Sequence, residues 1–248
     1  MIVFEDVHKS FGPKVVLDGL TLEVPTGETM VVIGQSGSGK SVTLKLLIGI
    51  LAPDAGRILL DGADLTALDG SGRQAVSRKF GMLFQGAALF DSMTVAENVA
   101  FGLDRHTDFS PEAKRRRVTE SLEKVGLRDC GHLLPHELSG GMKKRVGLAR
   151  AIAYRPEIIL YDEPSTGIDP IRADAINELI NLLKTEMGVT SIVITHDMIS
   201  AYKVADRIAM LYEGRIVATG TPQEIRESPN PVVQQFIHGR AAGPITNW

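Results

Sequence analysis

The sequence predicts an α/β fold: a mostly parallel sheet covered by helices, with an N-terminal antiparallel β lobe and an inserted helical subdomain. Three observations predict it. Near-continuous apolar runs at Thr29 to Ile33, Phe80 to Phe84, Ile158 to Tyr161 and Ser191 to Thr195 have the character of strands buried on both faces. Helical stripes lie between such runs, Leu44, Leu47, Ile48 and Leu51 in one place and Ile176, Leu179, Ile180 and Leu183 in another, and this alternation argues a parallel sheet with helices on its faces. From about residue 90 to 154 the strand pattern lapses and the chain reads mostly as helix.

Taken in order, residues 1–33 read as short strands. Ile2, Phe4 and Val7, then Val15 to Leu17, then Leu20, Leu22 and Val24 alternate loosely with polar residues, and turns sit at Gly12-Pro13 and Pro25-Thr26-Gly27. The run from Thr29 feeds a glycine-rich loop, and the helix after it is expected to end at Pro53. Arg57 to Leu60 reads as a strand with a turn at Asp61-Gly62, and the strand from Phe80 ends at Gln85. Ser110-Pro111-Glu112 is a helix start, with an N-cap, a proline in the first turn and an early acid. Its stripe of Val118, Leu122 and Val125 stops at Gly126. One domain is expected, with residues 1–87 and 155–238 as core and β lobe, 88–154 as helical subdomain and 239–248 as a C-terminal tail. Pro244, Ile245 and Trp248 are apolar for a free end; the tail is expected to pack on a second copy or a membrane partner, with simple disorder as the alternative.

Composition bounds the function. The chain has 248 residues, 44% hydrophobic and 23% charged, with a net charge of −3, which gives no general attraction to nucleic acid or anionic lipid. The single Cys130 excludes an internal disulfide and fits a reducing compartment. The longest apolar stretch, Leu46 to Ala52, falls far short of the roughly 18–20 residues that cross a bilayer. Met1 is followed by Glu5 and Asp6 and by no basic segment of a signal peptide. A soluble cytoplasmic protein is expected, whose membrane role, if it has one, runs through a partner.

The glycine-rich loop is Gly34-Gln35-Ser36-Gly37-Ser38-Gly39-Lys40-Ser41, the phosphate-binding P-loop pattern in its strand–loop–helix setting. Glycines let backbone N–H groups curl around phosphate oxygens, and the helix that begins near Lys40 and continues through Val42 aims its positive end at the same point. Lys40 is expected on the β- and γ-phosphates of ATP and the Ser41 hydroxyl on Mg²⁺. A second element, Ile158 to Glu163, is a hydrophobic strand that ends in two acids. Asp162 is placed to hold the metal, and Glu163, at the strand tip, to polarise an attacking water as general base. A strand ending in solvated acids is the plainer reading of those two alone. Third, Ser139, Gly140 and Gly141 open a helix, with Ser139 as N-cap and the glycines baring the backbone. That is either a second anion site or a flexible capped loop.

In this order and spacing, the P-loop, a lone Gln85 after a strand, Leu138-Ser139-Gly140-Gly141, Asp162-Glu163 and His196 after a strand resemble the nucleotide-binding subunits of ABC transporters. The likeness extends to about residue 228. It implies a P-loop NTPase (RecA-like) core and further roles: Phe11 stacking on adenine, Gln85 touching Mg²⁺ and the water and sensing the permease, Asp169 in the D-loop beside the nucleotide, and His196 as the switch histidine near the γ-phosphate. Without the resemblance Phe11 reads equally as core, Gln85 as a strand cap and His196 as a structural histidine. The other histidines, and the run Lys114 to Arg117 on an amphipathic helix, read as structural and as a solvated face. The resemblance also implies a homodimer in which the signature loop of one chain closes over ATP held by the other, seated on integral-membrane permease subunits at the cytoplasmic face of the inner membrane.

Within the family, Gly81 to Val95, the signature ending in Met142 and Tyr161 to Gly167 are most similar to the ATPases of MCE-linked, Mla-type phospholipid transporters, which implies an MCE-domain substrate-binding protein as a partner. The family signature ordinarily ends in Gln, so Met142 is a departure that removes a polar side chain near the partner's nucleotide. The alternatives are an ABC ATPase for another small solute and an ATP-sensing regulatory module. Glu163 and His196 argue against the sensor, which has no need of a base. A non-transport ABC ATPase acting on DNA would need a coiled coil or added modules for which the length leaves no room, and no Asn-Lys-x-Asp guanine reader is present.

Overall fold

The computed structural model describes residues 1–246. In chain order its elements are β1 (Ile2–Phe11), β2 (Lys14–Val24), β3 (Thr29–Ile33), α1 (Lys40–Leu47), β4 (Ala55–Leu60), β5 (Ala63–Asp64), α2 (Gly70–Ser77), β6 (Phe80–Leu83), α3 (Val95–His106), α4 (Pro111–Lys124), α5 (Gly140–Ile152), β7 (Ile158–Asp162), α6 (Pro170–Met187), β8 (Thr190–Ile194), α7 (Met198–Val204), β9 (Arg207–Tyr212), β10 (Arg215–Gly220), α8 (Pro222–Arg226) and α9 (Pro231–Ile237). The chain forms two compact units, Met1–Arg73 with the segment from Ile192 onward, and Gln74–Ser191.

The first unit holds the antiparallel β lobe, strands in the order β2-β1-β4-β5. The two short strands expected between Val15 and Val24 are one long strand, β2, paired with β1 from Ile2↔Val24 to Phe11↔Lys14. The pairing survives its polar interruptions because bulges absorb them: the register shifts between Phe4 and Val7, where Asp6 takes φ 47°, and such shifts bend a strand without ending it. The same unit carries β10-β9-β3 and, from Ile192, the end of β8. Here β9 runs parallel to β3 with Val31↔Ile208 and Ile33↔Met210 in register. β10 returns antiparallel to β9 through Glu213 and Gly214 at φ 46° and 76°, the two-residue left-handed turn that matches strand twist. All five residues of β3 are buried, as a strand covered on both faces requires. α1 stops at Leu47, short of Pro53, and Leu51 instead donates its N–H to the Lys45 carbonyl.

The second unit pairs β6 with β7 in parallel, from Phe80↔Ile158 to Leu83↔Tyr161. Between them in sequence come α3, α4 and α5, so residues 88–154 hold no strand among the described residues. α3 starts at a capping box in which Thr94 and Glu97 satisfy each other's backbone N–H groups, and α4 starts on Ser110 with Pro111 in its first turn. Their inward stripes, Val95, Val99 and Leu103 on α3 and Val118 and Leu122 on α4, are buried with Val146, Leu148 and Ala149 of α5. Each of these valine and leucine side chains contributes about 1.5–3 kcal/mol on leaving water. α5 presses on β6 at Gly81, where a Cβ would fall 2.4 Å from the Ala151 carbonyl oxygen.

Within the chain, part of the tail is anchored at Ile245. Ile245 is 4% exposed within its own unit; its N–H donates to Gln235 Oε1 at 2.7 Å and its carbonyl accepts from Gln235 Nε2 at 3.1 Å. Trp248 lies outside the described residues.

Candidate functional site

In the first unit the P-loop leaves β3 at Gly34 and enters α1 at Lys40. Its glycines are fitted to their places. A Cβ on Gly34 would stand 2.4 Å from the Leu211 carbonyl oxygen and 3.0 Å from Ser38 Oγ, and Gly39, at φ 104°, has Leu17 Cδ2 2.9 Å from where a Cβ would be. Gly39 is the N-cap of α1 and no side chain caps that end, so the positive end of the helix dipole faces the loop. Lys40 is 6% exposed; its Nζ donates to the Gly34 and Gln35 carbonyls, both at 2.7 Å. Ser38 donates its N–H back to Gln35 O at 3.2 Å, while Ser36 and Gly37 are exposed at the tip, and Ser41 and Val42 are half-buried in the first turn of α1. Ser38 Oγ is buried without a hydrogen-bond partner. An open cleft of about 540 Å³ lies beside the loop, lined by Gly37 and Ser38, by Val15 and Val16 of β2, and by Tyr212 and Arg215.

Phe11 and His196 belong to the same unit. Phe11 is 46% exposed at the end of β1, so it is not a core residue, and Lys9 Nζ lies 5.6 Å from its ring centroid. His196 is exposed on a braced turn. Thr195 N–H donates to Val32 O at 3.3 Å, Asp197 N–H to Thr195 Oγ1 at 3.0 Å, and Asp197 caps α7 through Ile199 N–H at 3.0 Å.

The second unit holds the acids. Asp162 and Glu163 end β7 and are 7% and 9% exposed, so neither is the solvated strand tip of the plainer reading. Glu163 takes φ 51°, a left-handed conformation that costs a residue with a Cβ about 1–3 kcal/mol and is held only by its surroundings. Thr166 supplies some of the holding: its Oγ1 donates to Glu163 Oε2 at 3.0 Å and its N–H to the Glu163 carbonyl at 3.3 Å. Gln85 is exposed just after β6, and its carbonyl accepts a hydrogen bond from Lys144 Nζ.

Ser139 is the N-cap of α5, accepting from Met142 N–H at 3.3 Å. Gly140 and Gly141 face the segment that includes Ile168 and Arg172: a Cβ on them would meet Ile168 Cγ2 at 3.7 Å and Arg172 Cδ at 3.3 Å. Asp169 is itself a cap. It accepts from Arg172 N–H at 3.1 Å at the start of α6 and pairs with Arg172 Nε at 3.3 Å. The structure thus places Gly34 to Val42, Phe11 and His196 in one unit, and Gln85, Ser139 to Gly141, Asp162, Glu163 and Asp169 in the other.

Sequence reasoning passed over Thr166 and Lys144. A hydroxyl three residues past the base is a signal that could have found the first. Nothing marks the second, since lysines on helices are ordinarily solvated. Lys144 is 5% exposed, and burial pushes its amine below the ordinary lysine range, partly offset by Asp162 and Glu163. Just past the end of α5, burial pushes the Tyr154 phenol up to about 12.

The loop of the first unit fits a nucleotide polyphosphate. The loop leaves no room for side chains at Gly34 and Gly39, Ser38 Oγ is a buried hydroxyl without a partner, and no side chain caps the start of α1. In the first unit Ser41 carries a hydroxyl oxygen, and in the second Gln85 and Asp162 carry an amide and a carboxylate oxygen, each a donor type that Mg²⁺ accepts.

Comparison with known proteins agrees with that chemistry. A sequence model described as ABC transporter matches residues 17–166. The chain is 40% identical over 245 residues to MlaF, the intermembrane phospholipid transport system ATP-binding protein of Escherichia coli K12, across 99% of this chain and 91% of MlaF. It is 42% identical over 244 residues to mkl of Mycobacterium leprae, named for ribonucleotide transport, across 98% of this chain and 70% of mkl. A solved dimeric ATP-binding cassette in a post-hydrolysis state, bound to ADP and Pi, aligns with a TM-score of 0.83 at 31% identity, over 90% of this chain and 99% of the cassette.

Proposed function

The chain belongs to the ABC transporter family, and on that premise we propose that it is the ATP-hydrolysing motor subunit of a phospholipid transporter. The observation that carries the cargo is the 40% identity to MlaF over nearly the whole chain. ATP hydrolysis is the reaction; the chain works as a homodimer with permease subunits in the membrane. No helix among the described residues is long and apolar enough to cross a membrane, so the bilayer is reached through those partners. We place the dimer at the cytoplasmic face of the inner membrane and an MCE-domain protein in the complex.

The residue roles combine the chemistry of the P-loop and the two acids with what the family resemblance implies for Phe11, Gln85, Asp169 and His196. Lys40 and the loop N–H groups from Gly34 to Ser41 hold the β- and γ-phosphates, and Phe11 offers an exposed ring to adenine. Glu163 accepts the proton of the attacking water at its carboxylate, held there by Thr166. His196 stands by the γ-phosphate, Gln85 orients the water, and Ser139 to Gly141 close on the partner protomer's nucleotide with Asp169 alongside. Mg²⁺, when bound by Ser41, Gln85 and Asp162, supplies charge that offsets the developing negative charge on the phosphates.

A second reading, a motor for a nucleotide-type solute, is favoured by the likeness to mkl. Pull-down of the tagged chain from detergent-solubilised native membranes, followed by mass spectrometry, separates the two. The lipid reading expects a permease, an MCE-domain protein and bound phospholipid. A permease with a binding protein for a small polar solute, and no lipid, would discard the cargo and keep the motor.

A further inference from the structure

One face of α5 is fastened to the segment that follows β6. Lys144 donates to the Gln85 carbonyl. One turn later, Gly147 approaches so closely that a Cβ would fall 2.9 Å from Leu83 Cδ1 and 3.2 Å from Ala87 Cβ. A further turn on, Arg150 donates to the Ala87 carbonyl at 2.6 Å and to the Ala88 carbonyl at 2.7 Å. Positions three apart share a helix face, so these contacts form one seam. Ala87 and Ala88 stand at φ 62° and 45°, a backbone that alanine does not hold unaided, and the Arg150 bonds are made to those two residues.

Lys144 does more than close the seam. Its ammonium has a second partner, the Glu163 carbonyl at 3.2 Å. A buried ammonium is costly unless hydrogen bonds replace its water, and here two main-chain carbonyls serve. The Nζ is therefore the meeting point of the helix that Ser139 begins, the loop that holds Gln85, and the left-handed residue whose carboxylate Thr166 steadies. An arginine or a solvated lysine would satisfy the surface of α5; a side chain buried to 5% exposure with both bonds directed at main chain points to positioning.

We propose that Lys144 is a positioning residue for hydrolysis: it ties the main chain of Gln85 and of Glu163 to the signature helix α5, so that the base and the glutamine are presented in one fixed relation. The proposal rests on the reading of Glu163 as the base. Both Lys144 bonds go to main-chain carbonyls, so its loss is expected to act on the chemical step and to leave nucleotide binding intact.

The test compares the full-length wild type with Lys144→Met, Lys144→Arg and, as a control, Glu163→Gln, measuring steady-state ATPase kinetics and the affinity for a fluorescent ATP analogue. Lys144→Met is expected to lower kcat about ten- to a hundred-fold, as misplacement of a catalytic group does, with analogue Kd unchanged. Lys144→Arg, which keeps a cation and two donors, is expected to recover most of the rate. If the Met variant does not fold, Lys144→Gln, able to reach one carbonyl, takes its place with the same expectation. A wild-type kcat in the Met or Gln variant, a rate loss that Arg does not reverse, or a parallel loss of analogue affinity would each overturn the proposal. Failure of the underlying reading looks different: Glu163→Gln would then turn over ATP like the wild type.

Discussion

At the residue scale, the chemistry rests on a few groups whose surroundings the sequence leaves unstated. Glu163→Gln removes the proton acceptor and keeps the size and the Thr166 contact. Turnover is expected to fall by roughly 10²–10⁴-fold while ATP binding persists and the ATP-bound dimer accumulates, which size-exclusion chromatography with trapped nucleotide would reveal. Lys40→Ala should instead abolish nucleotide binding, and undiminished affinity in an equilibrium titration would contradict the P-loop assignment. Gly34→Ala is a third case. Its Cβ would collide with the Leu211 carbonyl at 2.4 Å, and main chain cannot swing aside as a flexible side chain can. A loss of about 1–3 kcal/mol is expected, read as a lower midpoint in urea together with weaker ATP binding. The glycines and Lys40 were legible because the loop's job is done by consecutive residues. The Thr166 bond to Glu163 was less so, since a turn of unknown shape separates them.

At the element scale, helix ends carry both fold and function. Asp169 reads by resemblance as a nucleotide-side residue, and the structure gives it a local task as the N-cap of α6. Asp169→Ala should cost about 1 kcal/mol of stability, whereas Asp169→Asn retains the capping oxygen and should melt near the wild type. Reduced turnover in the Asn variant at unchanged melting temperature would show a role beyond the cap. The expected helix starts at Ser110 and Ser139 coincide with caps in the structure, because Ser followed by a bare turn is a local chemical signal. On α4 the run Lys114 to Arg117 is solvated only in part: Arg115 and Arg116 are about three-quarters exposed and pair with Glu112 and Glu120, whereas Lys114 and Arg117 are mostly covered and pair with Asp104 and Glu120. The hairpin of β9 and β10 escaped notice although Glu213-Gly214 between two β-rich runs is a recognisable turn. Likewise β2 appeared as two strands, since bulges break the alternation on which strand reading depends.

At the scale of the whole molecule, the question is which distant segments meet. Gln235 of α9, 5% exposed, binds both main-chain groups of Ile245 in the tail at 2.7 and 3.1 Å. Gln235→Ala would leave a buried N–H and C=O unsatisfied, each costing about 1–3 kcal/mol. The expected outcome is release of residues 239–246, seen as rapid limited proteolysis there with the remaining core intact. A tail as protected as in the wild type would show that Ile245 burial alone suffices.

The sequence by itself determined the P-loop and its setting, the acidic strand end, the capped signature helix and the alternation of buried strands with helices. Each is a short-range pattern, set by residues within a turn or a strand of one another. Only the tertiary structure decided that Glu163 adopts a left-handed, buried conformation, that Lys144 joins its carbonyl to that of Gln85, and that Ile245 folds back on Gln235. Those contacts join residues remote in sequence or held in turns whose dihedrals no periodicity records. A buried lysine and a solvated one have the same letter, and packing alone tells them apart.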